Sequence, residues 1–373
     1  MTSNASQIVN ARRLPVHQRG VSIVELMVAV TIGIIISAGI IQLFQSNKKA
    51  YRLQESQNIV NENARFAVGQ IQYHLRLAAH WGGVSTGELE THPSAEAKPI
   101  TNDCGANWLI QNLGFEGYEG SADSPLDCIP DANYVDNSDV VVARFADPER
   151  WDGNCSGTPT TGTPGCVDDS AALFVRTAVG QRALIFQGDQ LPDDAASDPA
   201  FAGLEPGIEA TDVRNYFRYP NHPLAVAIYF VRPCANPGAD GVCGGADDDA
   251  IPTLVRVVLN DDGDTLIEED LVSGVEQMQV SYGVDYDGDL NADRYDTAIG
   301  ITTAGAWDSV VTARITLLIR EQSRDTTFED DAAIEVGDIV GGGGISYDIP
   351  ADDRQFRRRI YTTLVQVRNH TRA

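Results

Sequence analysis

The chain has 373 residues, with 53 acidic and 27 basic side chains, a formal net charge of −26 and a hydrophobic share of 43%. That length holds one large domain or two modest ones. So acidic a surface argues against a nucleic-acid partner, since phosphate contacts need Lys and Arg. It suits a solvated extracytoplasmic surface or a divalent cation.

The acidity is uneven. Residues 1–20 contain Arg12, Arg13 and Arg19 and no acid. Val21 to Phe44 reads VSIVELMVAVTIGIIISAGIIQLF, with Glu25 as its single charge. As a helix this stretch spans roughly 36 Å, enough to cross a bilayer. The basic residues before it favour a cytoplasmic leader, although Lys48, Lys49 and Arg52 follow it. An ordinary secretory signal has a short apolar core that ends at a small-residue cleavage site. Here the apolar run is long and the small residue, Gly20, precedes it. Cleavage after Gly20 removes only the basic leader and leaves the helix on the mature chain. A carboxylate within a membrane helix costs roughly 2.5–3.5 kcal/mol at its centre and calls for a partner. A new α-amine on Val21 would lie one helical turn from Glu25. Glu25 also favours the positive end of the helix dipole.

Arg19-Gly20-Val21-Ser22-Ile23-Val24-Glu25-Leu26 resembles the leader junction of type IV pilins and type II secretion pseudopilins. The resemblance implies that a prepilin peptidase cuts between Gly20 and Val21 and N-methylates Val21. It also implies that Glu25 sets register by pairing with a neighbouring subunit. Val21 departs from the family's commonest residue, phenylalanine, and the apolar run lacks the proline of many major pilins.

After Phe44 the pattern turns amphipathic. Leu53, Val60, Ala64, Ala67, Ile71, Leu75 and Ala78 fall on one stripe of a 3.6-residue period. Gly82-Gly83 closes the helix, which is expected to run from Val21 to about Ala79, on the order of 90 Å. Four segments follow: a leader (1–20), a transmembrane half-helix (21–44), an amphipathic half-helix (45–81) and a globular head (82–373).

Residues 84–136 read as long loops. Strands are expected at 138–145, 172–177, 183–187, 224–231, 254–259, 275–284, 309–320 and 360–368. Their period-two patterns without helical crossovers argue an antiparallel sheet. A long helix packed on such a sheet is α+β, the type IV pilin-like arrangement. Cys104, Cys128, Cys155, Cys166, Cys234 and Cys243 form no CxxC pair, and three disulfides in an oxidising compartment are expected. Proximity favours Cys104–Cys128, Cys155–Cys166 and Cys234–Cys243 among the fifteen pairings. The loops they close are the long ones.

Asp285, Asp287, Asp289, Asn291, Asp293 and Asp296 place oxygens at positions 1, 3, 5, 7, 9 and 12 of a loop, the spacing at which calcium loops supply hard ligands. Leu290 stands where an EF-hand needs Gly, and Asp296 reaches less far than Glu. The alternative is a solvated acidic hairpin turn. Asn260–Asp264 reads as a hairpin turn. The histidines are scattered and no hydrolase, metalloprotease or P-loop motif is present, so no enzyme and no required cofactor is expected, calcium apart.

The run Leu271–Glu276 with MQVSYGVD, then Asp293-Arg294-Tyr295, then Leu318-Ile319-Arg320, is similar to the C-terminal half of PilW-type minor pilins. So is the ending Phe356–Thr363 with Val367-Arg368-Asn369. This resemblance implies a minor pilin that helps to initiate type IV pilus assembly. It implies other minor pilins, the major pilin, the inner-membrane assembly platform and a large tip adhesin as partners. The protein would lie in the inner membrane with its head in the periplasm, then on the pilus. The alternatives are a type II secretion pseudopilin and an anchored calcium-dependent adhesive module that does not polymerise.

Overall fold

A computed structural model describes residues 20–151, 167, 171–192, 198–204, 219–338 and 343–369. The leader 1–19 and both Cys155 and Cys166 lie outside them. The chain divides into two compact units, 1–55 and 56–373.

In the first unit, helix α1 (Ile23–Leu77) begins. Its first turn is closed by the Leu26 amide, which donates to the Ser22 carbonyl at 3.0 Å. Residues 21–52 are exposed on every side; over 21–44 the exposed surface is an apolar run without a polar stripe.

In the second unit the same helix buries Val60, Ala64, Ala67, Ile71, His74 and Leu75. The expected stripe is thus the observed one from Val60 onward. Each large aliphatic here contributes ~1.5–3 kcal/mol through burial. The helix stops at Ala79, whose φ of 57° is left-handed; the Ala79 amide turns instead to the Arg144 carbonyl at 3.0 Å. Gly82 follows at φ +65°, where a Cβ would stand 2.6 Å from Thr177 Cγ2.

The remaining elements are strands with short helices between them. In chain order they are β1 (Leu89–Thr91), α2 (Pro93–Glu96), β2 (Phe115–Tyr118), β3 (Val140–Ala146), β4 (Leu173–Ala178), β5 (Arg182–Gln187) and β6 (Asn221–Arg232). Then come β7 (Thr253–Leu259), β8 (Leu266–Ser273), β9 (Val275–Val284), β10 (Arg294–Asp296), α3 (Ala298–Ala304), β11 (Val310–Arg320), β12 (Ile334–Asp338), β13 (Gly343–Tyr347) and β14 (Arg358–Gln366). An eight-stranded sheet has the path β1-β5-β4-β6-β3-β2, with β7 and β8 added through β6. A four-stranded sheet runs β10-β9-β11-β14, and β12 pairs with β13 alone.

One apolar core joins α1 to both large sheets: Ile71 and Leu75 share it with Tyr229 of β6, Met278 of β9, Ile315 of β11 and Val365 of β14. The other face of the eight-stranded sheet is buried as well, with Val142, Ile228 and Val255 packed against Trp81 and Leu109. That double burial explains why β3 is buried throughout and apolar but for Arg144, which pairs with Glu116, rather than alternating.

Two expectations need correction. The body is α+β, but it holds three sheets among the described residues, and β1 runs parallel to β5. Residues 84–136 are not loops throughout; they contain β1, α2 and β2. Strands of three and four residues are too short to display a period. The polar face of β9 is buried too. Gln277 and Gln279 are buried, their side-chain amides donating to the Asp136 and Asn137 carbonyls at 3.0 and 2.7 Å. Residues 260–265 do form the expected hairpin between β7 and β8, with Gly263 at φ 62°.

Candidate functional site

Gly20 and Val21 precede α1 and lie outside regular structure. Both are exposed, Val21 at 69%, and a Cβ on Gly20 would meet nothing within 4 Å. The Gly20–Val21 bond therefore lies in accessible, non-helical chain two residues ahead of the first helical residue. Glu25 sits in the first helical turn, where unpaired amides favour a negative charge. The helix that follows is long and apolar enough to cross a membrane, and its most apolar window is wholly exposed.

The acidic turn joins β9 to β10 as a hairpin. Asp285, Asp287 and Asp289 each bring a carboxylate oxygen within 4.8 Å of the others. Asp285 accepts the Gly288 and Leu290 amides at 2.7 and 2.8 Å. Burial acts upward on its carboxyl, but those amides hold it below the ordinary range. Asp287 accepts the Asp289 amide, which pulls its carboxyl down, yet the charges of Asp289, Asp293 and Asp285 push it above the ordinary value. Of the other acids in the loop spacing, Asp293 and Asp296 fall outside this group of three. Asn291 caps Asp289, Asp293 accepts the Tyr286 amide at 2.8 Å, and Asp296 pairs with Arg294 and accepts the Thr297 amide. Leu290 takes φ 66°, the left-handed backbone a Gly would supply.

The structure bonds Cys104 to Cys128 and Cys234 to Cys243. The first bond lies beneath the eight-stranded sheet, in the cluster with Trp81 and Leu109. The second closes the loop after β6, where Asn133 accepts the Cys243 amide at 2.9 Å.

One constellation was not visible as a motif. His92 Nδ1 meets Ser94 Oγ at 2.7 Å while His92 Nε2 meets Asp198 at 2.9 Å. It has the composition of a hydrolytic triad but not the free valences. His92 Nδ1 also accepts the Ser94 amide, and Ser94 Oγ accepts the Gln187 amide. The trio therefore caps α2 and ties it to β5 and to residues 198–201, leaving no free base beside a nucleophile.

Two buried ionic features also escaped the sequence reading. Glu276 of β9 takes two hydrogen bonds from Arg358 of β14, at 2.5 and 2.9 Å, and faces Arg320 of β11 at 3.5 Å. This joins three strands at one end of their sheet. Asp139 is buried and accepts the Gly120 and Val280 amides at 2.8 and 2.7 Å. Burial pushes its carboxyl up to about 7, with Glu119 adding to the rise and the two amides opposing it.

A long apolar helix suited to a membrane anchor stands ahead of a sheet-rich, disulfide-closed body. The C-terminal part is more specific. Residues 229–369 match the family model described as Type IV Pilus-assembly protein W. The similarity to PilW-type proteins read from residues 270–370 is borne out by this match, which reaches back to β6 and implies a role in type IV pilus assembly. No curated protein and no solved structure matches the chain.

Proposed function

We propose that this chain is a minor pilin that enters a type IV pilus after cleavage between Gly20 and Val21, with N-methylation of Val21. The observation that carries this reading is the junction itself. An exposed, non-helical glycine precedes a membrane-length apolar helix that bears one acid in its first turn. A peptidase at the membrane face needs accessible, non-helical backbone, and the exposed Gly20–Val21 stretch is compatible with that. Once cut, the Val21 amine and the Glu25 carboxylate of neighbouring chains pair in a low-dielectric helix bundle, which fixes axial register. The similarity of residues 229–369 to PilW favours the pilus over a type II secretion pseudopilin. In this reading the partners are other minor pilins, the major pilin, the assembly platform and a tip adhesin. The head is periplasmic before assembly and on the cell surface afterwards. The acidic turn is proposed to take calcium through Asp285, Asp287 and Asp289, a smaller ligand set than the loop spacing offered.

The test is N-terminal sequencing of the protein from membranes and from sheared filaments. A chain that starts at Val21 in both, at low stoichiometry in filaments, is expected. A Met1 terminus in filaments would refute processing. Glu25→Ala is expected to leave cleavage intact and to reduce filament entry at least about tenfold. Normal entry of that variant would remove Glu25 from assembly. A Val21 terminus with no filament entry under any condition would favour the non-polymerising anchored module.

A further inference from the structure

Among the described residues β14 is the outer strand of the four-stranded sheet, paired with β11 alone. The Val367 amide donates to the Val311 carbonyl, and the Glu321 amide donates to the Arg357 carbonyl. In an antiparallel ladder such bonding alternates. Residues 359, 361, 363 and 365 therefore turn their backbone groups to β11. Arg358, Ile360, Thr362, Leu364 and Gln366 turn theirs outward, off the sheet edge. β14 has no proline and its register with β11 shows no bulge.

The side chains divide in the same way. Tyr361, Thr363 and Val365 face α1: the Tyr361 hydroxyl donates to Asn61, Gln72 donates to Thr363, and Val365 is fully buried. Ile360 and Leu364 stand on the opposite face at 45% and 55% exposure. The β12–β13 hairpin covers that face over β9 and reaches β11 through the Arg314–Asp338 pair at 2.9 Å. It leaves Ile360 and Leu364 open. Proteins usually blunt a long edge strand with proline, a bulge, a cover or charged side chains; among the described residues this one has only the last, in Arg358 and Arg359 at its start.

The charge around the edge runs against the rest of the chain. Residues 354–369 contain five arginines and no acid, in a chain of net charge −26. Arg357 and Arg358 are taken by Asp325 and Glu276. Arg359 and Arg368 are exposed, with no carboxylate partner among the described residues.

We propose that β14 accepts an added strand from a different protein, an extended segment with alternating apolar residues and acidic flanks. Its backbone pairs with residues 358–366, its apolar side chains cover Ile360 and Leu364, and its acids meet Arg359 and Arg368. At physiological salt these local charges act within about 8 Å, so the distant acidity of the chain does not cancel them. A second copy fits less well, because it brings the same arginines and no acid to the edge. The inference rests on β14 alone and does not depend on the pilus reading.

The experiment uses the full chain in detergent micelles and two labelled peptides of alternating Val and Thr, one flanked by paired Asp and one by paired Lys. Anisotropy is expected to show saturable binding of the Asp-flanked peptide, at least about tenfold tighter than its Lys-flanked counterpart at low salt. Hydrogen exchange should show the Ile360, Thr362 and Leu364 amides fast in the free chain and protected in the complex. Leu364→Pro removes an outward donor without touching the β11 ladder and should weaken binding about tenfold or more. Leu364→Lys, a surface substitution that leaves the fold unstressed, should also weaken it. Absence of binding, equal binding of the two peptides, or unchanged binding by both variants would overturn the proposal. So would a concentration-dependent dimer of the chain that Leu364→Lys abolishes, which would make a second copy the occupant.

Discussion

The two stretches of α1 are built from the same helix, yet their surfaces obey different solvents. From Ile23 to Phe44 every side chain is exposed and nearly all are apolar. From Val60 to Leu75 one stripe, Val60, Ala64, Ala67, Ile71 and Leu75, is buried, and the opposite side is mostly polar and exposed, with Phe66 and Tyr73 among it. Helix geometry is common to both; the environment that each face must meet decides which residues are tolerable. Ile35→Asp and Ile71→Asp are formally the same change, so they separate the two environments. Ile71 has no exposed surface, and an unpaired charge there should destabilise the body by about 4 kcal/mol or more. This is measurable by denaturant unfolding followed through Trp81, Trp108 and Trp307. Ile35→Asp should leave that transition unchanged and reduce membrane retention in fractionation. Equal effects on unfolding would break the comparison.

The disulfides sharpen it within the body. The Cys104–Cys128 bond has a sequence separation of 24 and Cys234–Cys243 a separation of 9. By loop-closure entropy, replacing the first pair by Ser should cost about 3.5 kcal/mol and the second about 2.7 kcal/mol. The first bond also lies among buried aromatics, so its loss should broaden the unfolding transition more. Unfolding midpoints of the two double variants, with and without reductant, check the order.

Acid should act on the body through two buried groups of opposite sign. Asp139 has its folded value raised to about 7, so between roughly pH 4 and 7 the unfolded chain releases the proton first. Stability from this group is complete at low pH and lost as pH rises through that window. His74 has its folded value lowered to about 4, by burial first and then by Arg256. Its contribution is complete above about pH 6.5 and lost as pH falls toward 4. The two slopes offset each other in the native chain. Asp139→Asn should remove the first and leave a net gain in stability from pH 4 to 7 of about 2 kcal/mol. Unfolding free energies at four pH values give the slope; a flat profile in the variant would contradict the sign.

Legibility in the sequence followed length and burial. Val275–Val284 was read to the residue because ten alternating positions leave little freedom, and its apolar face, Met278 to Val284, is fully buried. The stripe from Val60 to Ala78 was legible for the same reason. β1, β2 and β10 were missed because three or four residues carry no period. The parallel β1–β5 pair could not be foreseen, since the partners are more than ninety positions apart and the register is set by packing. At the junction, Gly20, Val21 and Glu25 could be proposed from the sequence because the chemistry they suggest is local in the chain. The Glu276–Arg358 pair joins residues 82 positions apart, and nothing in either neighbourhood marks it.

The acidic turn is where local spacing and three-dimensional grouping part company, and its effect should be the smallest. Six oxygens were spaced as a calcium loop; of its acids Asp285, Asp287 and Asp289 converge, with Asn291 bonded to Asp289, while β10 pairs at once with β9 and carries Asp296 to Tyr282. Three carboxylates without a bidentate closing ligand fit weak binding, with a dissociation constant of about 10⁻⁴–10⁻³ M. The neighbouring charges that raise Asp287 are relieved when a cation sits among them, so 10 mM calcium should raise the thermal midpoint by about 3 °C. Asp287→Asn removes one of the repelling charges as well as one ligand. It should lift the midpoint without calcium and erase the calcium-dependent rise. Calorimetric scans of both chains, with calcium and with chelator, decide it. A midpoint indifferent to calcium in the parent chain would leave the turn as a hairpin held by its own backbone amides.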